Sequence, residues 1–382
     1  MGDRDSREIE PHGKGRRGLS DHPLLRQSRP QFEQGVPSLS LVDLFAGCGG
    51  LTLGVGEAAL AFGRGLDVRL AVDSERAPLR VFKENFPAAE TRVCAVEEIF
   101  DGSRGEALTP AERSVKLGVG RLDLLVGGPP CQGNSNLNNH TRRVDPKNDL
   151  YLVMVRAAEV LRPRVVLIEN VPAVVHADSA VVERSRSALA RMGYTVVDSV
   201  MELVHLGVAQ RRKRHLLLAV QGRHDNAVVA SALAPGSVPR RTLRWAIGDL
   251  VGVESAHFLD RPPRASKNNW ARMQWLLDND EYDLPNERRP PCHQGDHSYV
   301  SMYGRLRWDE PAQTITSGFG SIGQGRYMHP DLPRALTVHE AARIQGFPDY
   351  FRLHAANSRT EASVIIGNAV PPTLAATVVG RL

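Results

Sequence analysis

The chain has 382 residues, 42% hydrophobic and 24% charged, with a formal net charge of +5. That length suits a large domain with a smaller one, and the composition is that of a soluble globular chain. No apolar run reaches the roughly 18–20 residues that span a bilayer, and the polar N-terminus lacks an apolar signal core, so a cytoplasmic protein without a membrane segment is expected. Four cysteines (Cys48, Cys94, Cys131, Cys292) without a CxxC pair point away from a disulfide framework or a standard zinc site. The charge is unevenly spread. From His205 to Trp245 there are eight Lys or Arg (Arg211, Arg212, Lys213, Arg214, Arg223, Arg240, Arg241, Arg244) against one acid, Asp225. A polyanionic partner fits that stretch, and so does a plain solvated basic surface.

Residues 1–38 are polar and rich in Arg, Gly, Pro and Ser without hydrophobic periodicity, which predicts a disordered tail. Strands and helices then alternate. A buried strand is predicted over 39–45, entering the turn Ala46-Gly47-Cys48-Gly49-Gly50, with a helix following to about residue 60. A strand over 67–72 and a helix over 75–85 come next. A strand over 121–126 ends at Gly127-Gly128-Pro129-Pro130. A helix over 150–161 precedes a strand over 165–168, which ends at Glu169-Asn170-Val171. A helix over 179–192 and strands over 195–203 and 215–220 complete this part. Such alternation predicts an α/β fold, a doubly wound and mostly parallel sheet with helices on both faces. From 222 to 304 the alternation stops and Pro, Arg, Asn, His and Trp cluster, which predicts a second, smaller domain of irregular or β character. From 305 the chain is regular again. A helix over 337–345 opens with a capping box, Thr337 and Glu340, and the segments 360–366 and 373–379 flank Gly367-Asn368-Ala369-Val370-Pro371-Pro372. Residues 305–382 are expected to return to the large domain of 39–221.

Ligands of doubly wound sheets bind beyond the carboxyl ends of the strands. The run Asp43-Leu44-Phe45-Ala46-Gly47-Cys48-Gly49-Gly50 is a strand-to-helix turn whose glycines let backbone approach a ligand. Asp73, ending the next strand, can accept hydrogen bonds from ribose hydroxyls. Alone this fits any nucleotide-type cofactor, or a tight turn with no ligand; the spacing is not GxGxxG, which tilts the reading from a nicotinamide cofactor toward S-adenosylmethionine. Gly127-Gly128-Pro129-Pro130-Cys131-Gln132-Gly133 holds Cys131 just past a strand end, where a thiolate can act as a nucleophile; the plainer alternative is a buried small hydrophobe. The polar run after it has no apolar pattern and reads as a mobile loop able to close over a substrate. Glu169 brings a carboxyl to another strand end, able to donate a proton to a base held against it, or merely to cap a helix. In Gln210-Arg211-Arg212-Lys213-Arg214, strand geometry puts Arg212 and Arg214 on one face; a basic surface strand end is the alternative. The His-rich stretch around Cys292 matches no standard zinc finger, so no metal is expected.

Taken in order, Asp43 to Gly50, Pro129-Pro130-Cys131-Gln132, Glu169-Asn170-Val171, Gln210 to Arg214, Pro311-Ala312-Gln313-Thr314-Ile315 and Gly367-Asn368-Ala369-Val370-Pro371 resemble the DNA (cytosine-5)-methyltransferases, from about residue 40 to the C-terminus. The resemblance implies the S-adenosylmethionine-dependent methyltransferase fold. It implies a cofactor site from Asp43, Phe45, Ala46, Gly47, Gly49, Gly50, Asp73, Pro129, Asn368 and Val370. It implies Cys131 as the nucleophile at cytosine C6, Glu169 on the N3 edge, and Arg214 with Arg212 orienting the base. It also implies that 222–304 is a target-recognition domain, with Gln132, Ser135, Gln210 and Thr314 at the duplex DNA. Arg240, Arg241 and Arg244, from the basic stretch, are expected on its phosphates. A monomer is expected, with a cognate restriction or other defence-system protein as a candidate partner. The chain departs from the family pattern at Asn134, usually Phe, at Ala95, often an Asp that holds the adenine amino group, and at Ser74, often a large adenine-covering side chain. Glu97, Glu98 or a backbone group can substitute for the missing Asp. A tRNA-directed relative, a non-catalytic DNA-binding protein with this fold and a nicotinamide-dependent oxidoreductase are the alternatives. The sizeable segment 222–304 favours DNA over tRNA, and intact Cys131, Glu169 and Asn368 favour catalysis.

Overall fold

In a computed structural model of the chain, residues 22–130, 150–176, 180–253, 255–294 and 301–382 are described. The alternating part contains β1 (Ser38–Leu44), α1 (Gly50–Ala61), β2 (Gly65–Asp73), α2 (Arg76–Asn85), β3 (Glu90–Val93), α3 (Pro110–Val119), β4 (Leu124–Gly127), α4 (Leu150–Leu161), β5 (Val165–Asn170), α5 (Val181–Arg191), β6 (Tyr194–Glu202), β7 (Gln210–Arg211) and β8 (Lys213–Gln221). Seven strands form one sheet in the order β3-β2-β1-β4-β5-β8-β6. The pairs from β3 to β5 are parallel, whereas β8 runs antiparallel to both β5 and β6. The reversal follows from chain length: the link from Glu202 to Lys213 has no room for the crossover that a parallel neighbour requires.

Alternate residues of the central strands face opposite layers. Val42, Leu44, Leu125, Val166, Ile168, Leu217 and Ala219 pack with α3, α4 and α5 on one side. Leu41, Leu124, Val126, Leu167, Leu216 and Leu218 pack on the other side with α1 and the C-terminal helix. The two-layer covering is the doubly wound arrangement expected from the sequence.

Later elements are α6 (Asn226–Ser231), α7 (Leu243–Ile247), α8 (Lys267–Asp278), β9 (Ala312–Gln313), α9 (Val338–Ile344), α10 (Arg359–Asn368) and α11 (Pro372–Val379). β9 pairs in parallel with β7. The α9 capping box forms as expected, with Thr337 Oγ1 accepting from Glu340 N and Glu340 Oε2 accepting from Thr337 N. The run Arg359–Val379 is apolar and long enough to cross a membrane by length and composition. It is instead two helices, because Ala369 and Pro371 leave helical geometry, and α11 packs against α1. That packing needs glycine: a Cβ on Gly54 would lie 2.1 Å from Pro372 O.

Two expectations are corrected by the packing. Residues 22–37 are not a loose tail. Leu24 is buried, Asp349 N donates to Leu24 O, Tyr350 N donates to Arg26 O, and Arg26 pairs with Glu57 at 3.1 Å. Nor does 222–304, expected as a smaller domain of irregular or β character, pack as one separate unit. Among the described residues it holds no strand. Val229, Ala232 and Leu233 join the layer of α1, and Leu243, Ala246 and Ile247 pack with α9. A small separate cluster joins Met273 and Leu276 of α8 to Ile322, Met328 and Ala335, beyond residue 304.

Candidate active site

The glycine turn lies at the carboxyl end of β1. It is held by Ala46 N donating to Val72 O at 3.0 Å and Gly47 N donating to Asp73 Oδ2 at 2.8 Å. Phe45 has a φ of 57°, a left-handed conformation uncommon outside glycine, and Gly49 has a φ of 93°. Gly50 starts α1 with no space for a side chain: a Cβ there would lie 2.0 Å from Val370 O. The C-terminal segment around Asn368 and Val370 therefore closes on the turn. Asp73 is half-buried, its Oδ1 accepts from Glu75 N at 2.8 Å, and burial raises its pKa. Each of its oxygens meets one amide and keeps lone-pair capacity for a hydroxyl.

Asp43 is a correction. It has no solvent exposure, and its Oδ2 accepts from Thr52 Oγ1 at 2.6 Å. Burial pushes its pKa up to about 8. It braces the turn from the interior and does not line the cleft. Cys48 is a buried thiol pushed up to about 12, which makes it inert as a nucleophile. At Ala95, where the family often has an Asp, the backbone N donates to Glu98 Oε1 at 3.0 Å, which caps the short helical turn that follows.

The second half of the site gathers at β4, β5 and β8. A Cβ on Gly128 would lie 3.2 Å from Glu169 Oε2 and 3.7 Å from Val370 Cγ2. Asn170 Nδ2 donates to Pro129 O at 3.1 Å, pinning the strand end that leads to Cys131. Glu169 is 6% exposed, and Arg214 Nε lies 2.6 Å from its Oε1. That approach is an ion pair out of hydrogen-bond geometry, so Oε1 has no hydrogen-bond donor among the described residues. A buried carboxyl with spare acceptor capacity beside a guanidinium can bind the polar edge of a base. Cys131, Gln132, Asn134 and Ser135 lie outside the described residues.

The basic motif divides in an unexpected way. Arg212 breaks away from the strand and is 3% exposed. Its Nη1 donates to Ile315 O at 3.0 Å and its Nη2 to Ala369 O at 3.3 Å. Burial, with Arg214 nearby, lowers its pKa to about 9. Arg212 thus ties two chain segments behind the site, while Arg214 meets Glu169. Gln210, expected at DNA, has no exposure. Its Nε2 donates to Gln345 Oε1 at 2.5 Å and its Oε1 accepts from Ile315 N at 3.1 Å, so its side chain is spent inside the fold. Thr314 Oγ1 donates to Arg211 O at 2.8 Å, holding β7 to the segment that contains β9. Arg240 and Arg244 are exposed and Arg241 is half-buried. Arg241 lies over the Trp245 ring at 4.8 Å and Arg244 over the Trp308 ring at 4.7 Å. No motif singled out Thr52 or Gln345. The available signal was a polar side chain inside an otherwise apolar helix or at its end.

Solved structures with this fold include methyltransferases. The S. pombe Dnmt2 methyltransferase aligns with a TM-score of 0.60 at 16% identity, covering 90% of this chain and 97% of that one. Entamoeba histolytica methyltransferase EhMeth aligns at 0.58 with 14% identity, covering 89% and 96%. The architecture is thus the mostly parallel α/β fold of methyltransferases. Sequence narrows the class further. Type II methyltransferase M1.BsuMI of Bacillus subtilis is 40% identical over 358 residues, 93% of this chain and 83% of that protein. Type II methylase M.HgiDII of Herpetosiphon aurantiacus is 30% identical over 351 residues, 88% and 92%. The chain belongs to the C-5 cytosine-specific DNA methylase family, whose model it matches over residues 39–382, and is a DNA (cytosine-5)-methyltransferase.

Proposed function

We propose that the enzyme methylates C5 of a flipped-out cytosine within a specific duplex DNA sequence, using S-adenosylmethionine, through a covalent bond between Cys131 and C6. One observation carries this reading. The strand end leading to Cys131, the Glu169 carboxyl and Val370 of the cofactor-side return all lie within one side-chain radius of Gly128. The two halves of a transfer reaction therefore meet at one point.

The residues present fit S-adenosylmethionine. The turn offers Gly47 and Gly49, Asp73 has free acceptor capacity at the neighbouring strand end, Glu98 stands by Ala95, and Gly50 admits the Val370 backbone. Phe45, Ala46, Pro129 and Asn368 complete the proposed cofactor contacts. When bound, this cofactor supplies an electrophilic methyl group. Cys131 adds as thiolate to C6, which makes C5 nucleophilic. Glu169 holds N3 and the amino edge, stabilising the charge that develops on the ring, and Arg214 fixes the Glu169 carboxylate. Once C5 carries the methyl group, loss of the C5 proton to a base and departure of the Cys131 thiolate restore the aromatic ring. A stacked base cannot reach a strand-end pocket, hence the flip.

Gln132, Ser135, Arg240, Arg241 and Arg244 are proposed at the DNA. Thr314 acts through the β7 contact, and 222–304 with the cluster around α8 carries target recognition. The names of the two Type II relatives support a place in a restriction–modification system.

The test is tritiated methyl transfer to duplex DNA and to tRNA, with capture on 5-fluorocytosine DNA. Label in DNA, and a covalent complex that Cys131→Ser abolishes while S-adenosylmethionine still binds, are expected. Label confined to tRNA, or full activity without the thiol, would overturn the reading.

A further inference from the structure

A buried polar junction lies behind the site, and the residue at its centre belongs to none of the sequence motifs. Its hub is Gln345, immediately after α9 and without solvent exposure. Its Nε2 donates to Ile366 O at 2.8 Å and to Ala369 O at 3.4 Å, while its Oε1 accepts from Gln210 Nε2 at 2.5 Å. The amide has one possible orientation, because the flipped form would set its oxygen against two carbonyls. Gln210 in turn holds Ile315 N, and Arg212 holds Ile315 O and Ala369 O. Ala369 O is thus gripped twice, by an amide and by a guanidinium, between Asn368 and Val370.

That grip matters because the next residue has no tolerance. Val370 O is the atom that excludes a Cβ at Gly50, and Val370 Cγ2 lies near Gly128 and so near Glu169. A small displacement of Ala369 moves Val370 relative to both the glycine turn and the acid. Buried donors and acceptors are costly to leave unmade, so the four segments settle in one arrangement.

We propose that Gln345 is a positioning residue for the cofactor site, which sets the Asn368–Val370 return through the Ile366 and Ala369 carbonyls and locks it, through Gln210, to the segment that carries Arg212 and Arg214. The proposal rests on the reading that Asn368 and Val370 face S-adenosylmethionine.

Two variants separate its functions. Gln345→Glu keeps an acceptor for Gln210 and removes the donor to the return. Gln345→Met removes both. Steady-state kinetics with duplex DNA, alongside thermal melting with and without S-adenosylmethionine, are the readouts. We expect both variants to raise KM for S-adenosylmethionine by about tenfold or more, with a smaller change in kcat and KM for DNA unchanged. The melting increment produced by the cofactor shrinks in parallel. A lowered melting temperature with wild-type KM would reduce Gln345 to a structural residue and overturn the proposal. Should both variants fail to fold, Gln210→Met leaves the donor contacts in place and is expected to raise the same KM by a smaller factor; a wild-type KM there overturns the proposal equally. Wild-type protein that fails to bind S-adenosylmethionine would sink the cofactor reading itself, a result distinct from both.

Discussion

Asp43 shows how far a single residue can depart from its usual chemistry inside this site. One carboxylate oxygen accepts from Thr52, the other has no partner among the described residues, and water does not reach either. Burial disfavours the charged form and raises the pKa from 3.8 to about 8. The sign of the effect on stability follows. Below the unfolded value both states are protonated and burial carries no ionisation penalty. Between the two values the unfolded chain ionises while the folded one stays neutral, so stability falls as pH rises, and the loss is complete only above the folded value. Asp43→Asn replaces the carboxyl by a group that is neutral in both states. Its melting temperature is expected to gain on wild type as pH rises from 5 to 8, with the smallest difference at the acid end. A difference that stays flat across that range would mean that Asp43 is ionised in the fold. The same residue marks a limit of sequence reading. Its place in a cofactor-type turn was legible, but the direction of its side chain depends on Thr52 in the first turn of α1.

At the scale of elements, the arm of residues 22–37 was the least legible. It carries no periodic pattern, and its anchors are isolated residues that touch partners remote in sequence. Leu24 enters the cluster of α7, α9 and Phe347. His22 stacks on Trp245 at 4.3 Å and Arg29 lies over Phe86 at 5.0 Å. Leu24→Ala empties a buried site and is expected to lower unfolding stability by about 2–5 kcal/mol, read from urea denaturation. A loss below ~0.5 kcal/mol would show that the arm contributes no core contact. The sheet strands and their helices were legible because residues buried on alternate or continuous faces leave a strong pattern. β3 was missed because it is short and half-exposed at the sheet edge. α3 was missed although Thr109, Pro110 and Glu112 form a start signal, since among its buried residues only Val115 and Val119 are apolar. Glu169 and the Gly127-to-Pro130 strand end were legible because position at a strand end follows from local pattern alone. Gln210 was not, because its burial depends on Ile315 and Gln345, each more than a hundred residues away.

The whole molecule carries its charge less evenly than a net +5 suggests. Of the eight cations between His205 and Trp245, Arg211 faces Glu310, Lys213 faces Glu202, Arg214 faces Glu169, and Arg212 is buried. Arg223, Arg240, Arg241 and Arg244 make no ion pair among the described residues. Three of those four lie within five residues, Arg240 and Arg241 just before α7 and Arg244 in its first turn. Arg241 and Arg244 rest on tryptophan faces, which holds the guanidinium planes in place while leaving N–H edges for an acceptor. Pre-ordered cations of this kind bind phosphate without reading sequence. Each phosphate neutralised releases condensed counterions and adds about 0.9 to the slope of log K against log salt on duplex DNA. Replacing Arg240, Arg241 and Arg244 together by Gln is therefore expected to flatten that slope by up to about 3, weakening binding to specific and random duplexes alike. Binding titrations between low and physiological salt measure it. An unchanged slope would remove these arginines from the DNA interface. A flattened slope together with a changed methylation motif would instead give them a share in base recognition, since phosphate contacts alone cannot alter the sequence that is read.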